Sequence, residues 1–312
     1  RAWLEPSPHH WTCGEMETLL DPTPDLAWVL AAEGFDALRE TIYESRFSIS
    51  NGLLGLRAGR AVSRGERWDV PHRAYVAGMF DIPGPEHPIP ALVPAPGWQQ
   101  FRIMLRGGPL VRHPAEAISH RTILDMRRGV LLTGCRLIDR PTIAVRVRTL
   151  HLLSLSERGI GVQVIELKIE EGEIEVAVEA SFEGLGLGLK SERIEQDLGI
   201  WRTKYSGKRI AMAAVLSLQI DGSEVTPTVP GPFMWSWHWK TRPGQIVCVA
   251  RLIAVARSDA LDADPGRVAR EKVGVARQVG WRKLVQEHEA AWSDRWRSSD
   301  IEVEGDPAAE QA

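Results

Sequence analysis

Cysteine is scarce in this chain of 312 residues: Cys13, Cys135 and Cys248 lie far apart and are odd in number. Without a Cys-x-x-Cys pair they indicate neither a disulfide framework nor a zinc cluster, and a reducing cytoplasm is the expected setting. An excess of one charge is also lacking. The 38 Lys and Arg against 41 Asp and Glu leave a net charge of −3, and the basic residues are scattered, which argues against nucleic acid as a partner. No apolar run has signal-peptide or bilayer-spanning length, so no membrane association is expected. Histidines are sparse, and His9, His10, His72, His87, His113, His120 and His151 show no metal-ligand spacing, so no metal site is expected. Gly184, Gly186 and Gly188 superficially suggest a phosphate loop. They lack the Gly-Lys-Ser/Thr ending and a strand-to-helix setting, and read instead as a strand whose small residues let another element pack close.

What is present is a globular composition, with 44% hydrophobic and 25% charged residues, enough to build a sizeable core. Alternation of period two dominates. Ile143, Val145 and Val147 alternate with Ala144, Arg146 and Arg148, and Val176, Val178 and Ala180 alternate with Glu175, Ala177 and Glu179, as in half-buried antiparallel strands. Turn signals separate the strands: Asn51–Gly52, Gly107–Gly108 and Asp221–Gly222 read as hairpin turns. Glu170, Glu171, Glu173 and Glu175 flank Gly172 at an expected hairpin tip, where a solvated turn explains them better than catalysis, because a catalytic acid needs partial burial. Residues 245–257 are apolar on both faces, as expected of a covered central strand.

These patterns predict a mainly β fold. A large antiparallel β-sandwich should cover residues 25–262, after an extended arm over 1–24 and before one or two linker helices over 263–298. Asp264 followed by Pro265 is a helix start. The stripe Trp281, Val285, His288, Trp292 and Trp296 has helical spacing, and Gly274 and Gly280 are candidate break points.

The run from Glu44 to Arg57, followed by Tyr75 to Asp81, resembles in detail the N-terminal domain of glycoside hydrolase family 65. That family contains maltose, trehalose and kojibiose phosphorylases and related α-glucoside hydrolases. The likeness continues through Pro94 to Trp98, through Leu124 to Met126 with Gly129 to Leu131, and through Arg148 to Trp292, Trp296, Asp300, Ile301, Gly305, Asp306 and Gln311. It implies a supersandwich, with residues 299–312 beginning the segment that leads into an (α/α)6 catalytic barrel absent from this chain. The first residue is Arg and not Met, as expected of a trimmed product or of part of a longer protein. The resemblance implies an inverting attack on an α-glucoside disaccharide by phosphate or water, with inorganic phosphate as co-substrate of a phosphorylase and no other cofactor. The acid and the phosphate-binding groups would lie in the barrel, so no catalytic residue is assigned here. A homodimer is implied too, with the barrel on the same or a separately encoded chain.

Two candidate sites follow. Asn51, Gly52, Gly55, Arg57, Tyr75, Gly78 and Asp81 carry the densest resemblance and are expected at the sandwich edge that meets the barrel. Trp235, Trp237 and Trp239 fall on one strand face with Phe233. Exposed, they would make a saccharide platform and the chain a free-standing binding module. Buried, they are core or interface.

Overall fold

The computed structural model describes residues 18–34, 40–57, 74–99, 101–110, 117–139, 143–182, 188–258 and 264–300. The fold is mainly β, with a few helices concentrated at the C-terminal side. Its backbone is a ten-stranded antiparallel sheet. Nine strands follow one another in the order Val29–Glu33, Ala117–Asp125, Val130–Asp139, Ile143–Leu153, Ile160–Glu171, Ile246–Ser258, Arg209–Ile220, Leu198–Thr203 and Leu189–Ile194, while Ser223–Val225 pairs with Arg209–Ile220 off this path.

The central strands read as continuous apolar runs because both of their faces are covered. Along Ile160–Glu171, Ile165, Leu167 and Ile169 enter one core, and Ile160, Val162 and Val164 enter another. The first core is closed by two smaller sheets. One has five strands, ordered Thr228–Gly231, Met234–Lys240, Glu175–Ser181, Phe101–Leu105 and Gly108–Pro109. The other has four, ordered Ile49–Ser50, Leu54–Leu56, Ala74–Asp81 and Ala91–Ala95. The second core lies under the C-terminal helices. Each fully buried Leu, Ile or Val contributes roughly 1.5–3 kcal/mol to such cores.

A short helix α1 (Glu40–Arg46) precedes the four-stranded sheet and is closed at Phe47, whose N–H donates to the Tyr43 carbonyl at 2.9 Å. Helix α2 (Pro265–Val279) starts where expected: the Asp264 carboxylate accepts from Gly266 N–H at 2.9 Å and Arg267 N–H at 3.2 Å, satisfying otherwise orphaned donors. Its sheet-facing Ala269, Val273 and Ala276 are small, which permits close approach. Gly274 stays inside α2, whereas Gly280, at φ +82°, separates it from α3 (Trp281–Ser299). On α3, Trp281, Leu284, Val285 and His288 are buried.

Three local expectations need correction. The turn after Phe101–Leu105 is Arg106–Gly107, both at positive φ, one residue earlier than Gly107–Gly108. Gly172 lies in a crossover from the ten-stranded to the five-stranded sheet, not at a hairpin tip. The expected arm lies outside the described residues up to 17, but Leu20 is buried in the helix-covered core and Thr23 N–H bonds Asp125 at 2.8 Å. Gly184 and Gly186 also lie outside the described residues. Gly188 does sit against Val93, whose methyl would be 3.4 Å from an added Cβ.

Candidate functional site

The four-stranded sheet sits at the end of the large sheet where Ile143–Leu153 finishes and Ile160–Glu171 begins. Asn51 makes the junction. Its Nδ2 donates to the carbonyls of Ser154 at 2.7 Å and Arg158 at 2.9 Å, while its Oδ1 accepts from Leu53 N–H and Leu54 N–H at 3.0 and 2.8 Å. One buried side chain therefore shapes its own turn and grips the loop 154–159. Gly52, at φ +87°, completes the turn.

That loop also touches both C-terminal helices. Glu157 lies 4.0 Å from Lys272 of α2. Leu155 N–H donates to Nδ1 of His288 on α3 at 3.1 Å, which leaves His288 Nε2 to donate to the Gly129 carbonyl, also at 3.1 Å. Burial pushes the His288 pKa down to about 4, and the charge of Arg128 acts in the same direction. Farther along α3, Trp292 packs on Gly129 and stacks on Trp296, which meets Trp28 edge-on at 4.8 Å.

Beyond the Asn51 turn, Ala74–Asp81 carries a wide irregularity in its pairing with Ala91–Ala95, between Tyr75 and Phe80. Gly78 sits within it at φ +84°, and a Cβ there would collide with the Arg257 guanidinium. The carbonyls freed by the irregularity are taken by cations: Arg257 donates to Ala77, and Lys208 Nζ donates to Gly78 at 2.7 Å. Asp81 accepts from Tyr205 N–H at 2.9 Å and Ser206 N–H at 2.7 Å. Burial alone would push its carboxyl up, but these N–H groups, that of Ile82 and the Ser206 hydroxyl outweigh it and hold Asp81 below the usual value. Gly55 and Tyr75 are cross-strand partners. Arg57 donates to the Ser45 hydroxyl and lies 3.9 Å from Glu44, tying the sheet back to α1.

Asn51, Gly52, Gly55, Tyr75, Gly78 and Asp81 thus share one small sheet, with Arg57 at its margin. Their contacts shape backbone and fasten elements together. None of them forms a constellation with the geometry of a nucleophile and its base.

The tryptophan strand has a different fate. Trp235 and Trp237 are 6% and 1% exposed. Trp237 Nε1 donates to the Val225 carbonyl at 2.9 Å, and Phe233 packs against Phe182 and Trp201 with ring centroids 4.3 and 6.0 Å away. Partly buried Trp239 donates to Gln245 at 2.8 Å. Of the two alternatives for this strand, Trp235 and Trp237 thus take the buried one, with their rings in the core beneath the large sheet.

Acidic residues are similarly committed. Glu170 pairs with Arg136 and Arg146, and Glu173 lies 3.4 Å from Lys240. Buried Glu166 binds Arg148 at 2.8 Å. Among the described residues there is no His, Cys, Asp or Glu group able to hold a metal ion, and no helix is long and apolar enough to cross a membrane. Sequence reasoning missed Arg128, which donates to Glu289 on α3 and to the carbonyls of Leu19 and Asp21. A cation on a hairpin turn looks like any solvated Arg, so no sequence signal marked it.

Comparison with known proteins gives a consistent picture. The family described as "Glycosyl hydrolase family 65, N-terminal domain" matches residues 30–295. An uncharacterised glycosyl hydrolase of Mycobacterium tuberculosis is 26% identical, with 86% of this chain and 38% of that protein covered. A kojibiose phosphorylase of Halothermothrix orenii is 23% identical, with 89% and 38% covered. A solved structure assigned as a kojibiose phosphorylase from the human microbiome superposes with a TM-score of 0.73 at 14% identity, covering 91% of this chain and 40% of that one. The chain therefore spans well under half the length of these relatives.

Proposed function

We propose, for a chain that belongs to the N-terminal domain family of the family 65 glycosyl hydrolases, that it is the non-catalytic sandwich and linker of an α-glucoside phosphorylase or hydrolase. In this reading it buttresses a catalytic barrel supplied elsewhere, and contributes to a dimer surface. The chemistry of the parent enzyme would be inverting: a carboxylic acid protonates the glycosidic oxygen while phosphate or an activated water attacks the anomeric carbon from the opposite face.

The observation that carries the reading is the use of the buried carboxylates. A general acid must reach a glycosidic oxygen. Asp125 instead accepts from Thr23 N–H and Arg128 N–H, Glu166 binds Arg148, and Asp81 clamps Tyr205 and Ser206. Each is consumed by the fold. The end bearing Asn51 to Arg57 and Tyr75 to Asp81 is the edge we assign to the barrel, and its connection through loop 154–159 to α3 supports that assignment.

The intact mass of the native gene product tests this. The reading expects a mass well above the 34.7 kDa of this chain, with activity on α-linked disaccharides, or a barrel-sized subunit that co-purifies. A product of 34.7 kDa without such a companion would overturn it.

A further inference from the structure

Asparagine occurs once in this chain, at position 51, and glycine follows it. The pair is chemically labile, because glycine puts no side chain in the way of its own backbone nitrogen. Once deprotonated, the Gly52 nitrogen can attack Asn51 Cγ. A C–N bond then closes a five-membered succinimide, the bond from Cγ to Nδ2 breaks, and ammonia leaves with a proton in exchange for the one Gly52 gave up. Water opens the ring at either carbonyl and leaves aspartate or isoaspartate. No co-reactant other than water is needed.

In the folded chain every atom of that reaction is held. Asn51 Nδ2, the leaving group, donates to the carbonyls of Ser154 at 2.7 Å and Arg158 at 2.9 Å. Oδ1 accepts from the N–H groups of Leu53 and Leu54, so Cγ is clamped from both sides. The nucleophile is engaged too, since Gly52 N–H donates to the Ser50 hydroxyl at 3.2 Å. Asn51 is buried, whereas Gly52 faces solvent. Attack therefore requires the turn to let go of loop 154–159 first.

We propose that Asn51–Gly52 is a site of spontaneous covalent modification, held unreactive while loop 154–159 grips the Asn51 amide and converted to aspartate or isoaspartate when that grip opens. Conversion makes a local opening one-way. Either product sets an oxygen without a proton against two carbonyl oxygens, and places a negative charge at a buried position. Isoaspartate also adds one carbon to the backbone of a turn that Asn51 N–H closes onto the Leu54 carbonyl at 3.1 Å. Neither product can regrip the loop, whose ties to Lys272 and His288 are weakened with it. The site is independent of the function proposed above, because it rests on the bonds of this chain alone.

The test incubates the 312-residue chain at mildly alkaline pH, folded and in denaturing urea, and follows the amide-to-acid mass gain in the peptide carrying position 51. The unfolded chain should convert roughly tenfold faster or more, since only the opened form reacts. Ser154→Ala removes the hydroxyl that accepts from Glu157 N–H at 3.0 Å. It loosens the loop without touching the reacting pair, and should speed conversion of the folded chain by about twofold or more. The converted fraction should melt at or below the temperature of Asn51→Asp, and both below the wild type. Equal rates in folded and unfolded chains would overturn the proposal, as would a Ser154→Ala rate equal to that of the wild type. A converted fraction that melts with the wild type would overturn the one-way consequence. Should Ser154→Ala fail to fold, amide exchange of the wild type takes its place: in rising sub-denaturing urea, conversion should keep pace with exchange of the Leu53 and Leu54 N–H groups held by Asn51 Oδ1. Conversion that does not follow their exchange overturns the gating.

Discussion

His288 allows a quantitative test of how α3 is fastened to the sheets. The imidazole is 1% exposed, accepts from Leu155 N–H through Nδ1 and donates to the Gly129 carbonyl through Nε2. Protonation would convert Nδ1 from acceptor to donor, facing the Leu155 N–H, and would place a charge in the core beside Arg128. The folded-state pKa of about 4 against 6.5 fixes the sign. Above pH 6.5 the ring is neutral whether folded or not, and it contributes no pH dependence. Between pH 6.5 and 4 the unfolded chain takes up a proton that the folded chain refuses, so stability falls as pH drops, by about 1.4 kcal/mol per unit. From pH 7 to pH 5 this group alone should remove about 2 kcal/mol. Urea unfolding of the wild type and His288→Gln at both pH values isolates the effect, because other titrating groups cancel in the double difference. The variant should lose about 2 kcal/mol less than the wild type over that interval. Equal losses would refute the buried neutral imidazole, and so would a larger loss in the variant.

Asn51→Ala removes four hydrogen bonds at a position 5% exposed, and should lower unfolding free energy by roughly 3 kcal/mol, read by chemical denaturation. Gly129→Ala places a Cβ on the Trp292 indole at φ +63°; a loss of about 2 kcal/mol and a red shift of tryptophan emission are expected as α3 lifts. Trp235→Ala should cost about 3–5 kcal/mol as a core truncation, while calorimetry of the wild-type chain with maltose or trehalose at millimolar concentration should record no heat. Appreciable heat that vanishes in the variant would restore the tryptophan strand as a sugar site.

The legible parts of the sequence were those where local chemistry and tertiary demand agree. Asp264–Pro265 starts a helix in isolation and in the fold, and Asp221–Gly222 forms its turn with both residues at positive φ. The run ending at Arg257 is buried on both faces because one side meets the small sheets and the other meets α2, with Arg251 the one charge enclosed among its apolar residues. Alternation could not tell which strands share a sheet, which is why Gly172 looked like a hairpin tip although its flanking strands belong to different layers. Periodicity also places Trp235 and Trp237 on one face without saying whether that face is wet. Long-range fasteners were the least visible: Arg128 to Glu289 and Leu155 to His288 join residues more than a hundred positions apart, and although the helical stripe includes His288, it does not say what that ring meets. At the candidate edge, the cations that hold its irregular strand, Lys208 and Arg257, carry no local signal.

The central claim is that this chain supports chemistry performed by other polypeptide. Its most direct test is to incubate the purified 312-residue protein with kojibiose, maltose and trehalose, with and without inorganic phosphate, and to follow glucose and glucose phosphate. The account predicts neither product above the uncatalysed background. Sustained release of either one by this chain alone would contradict it.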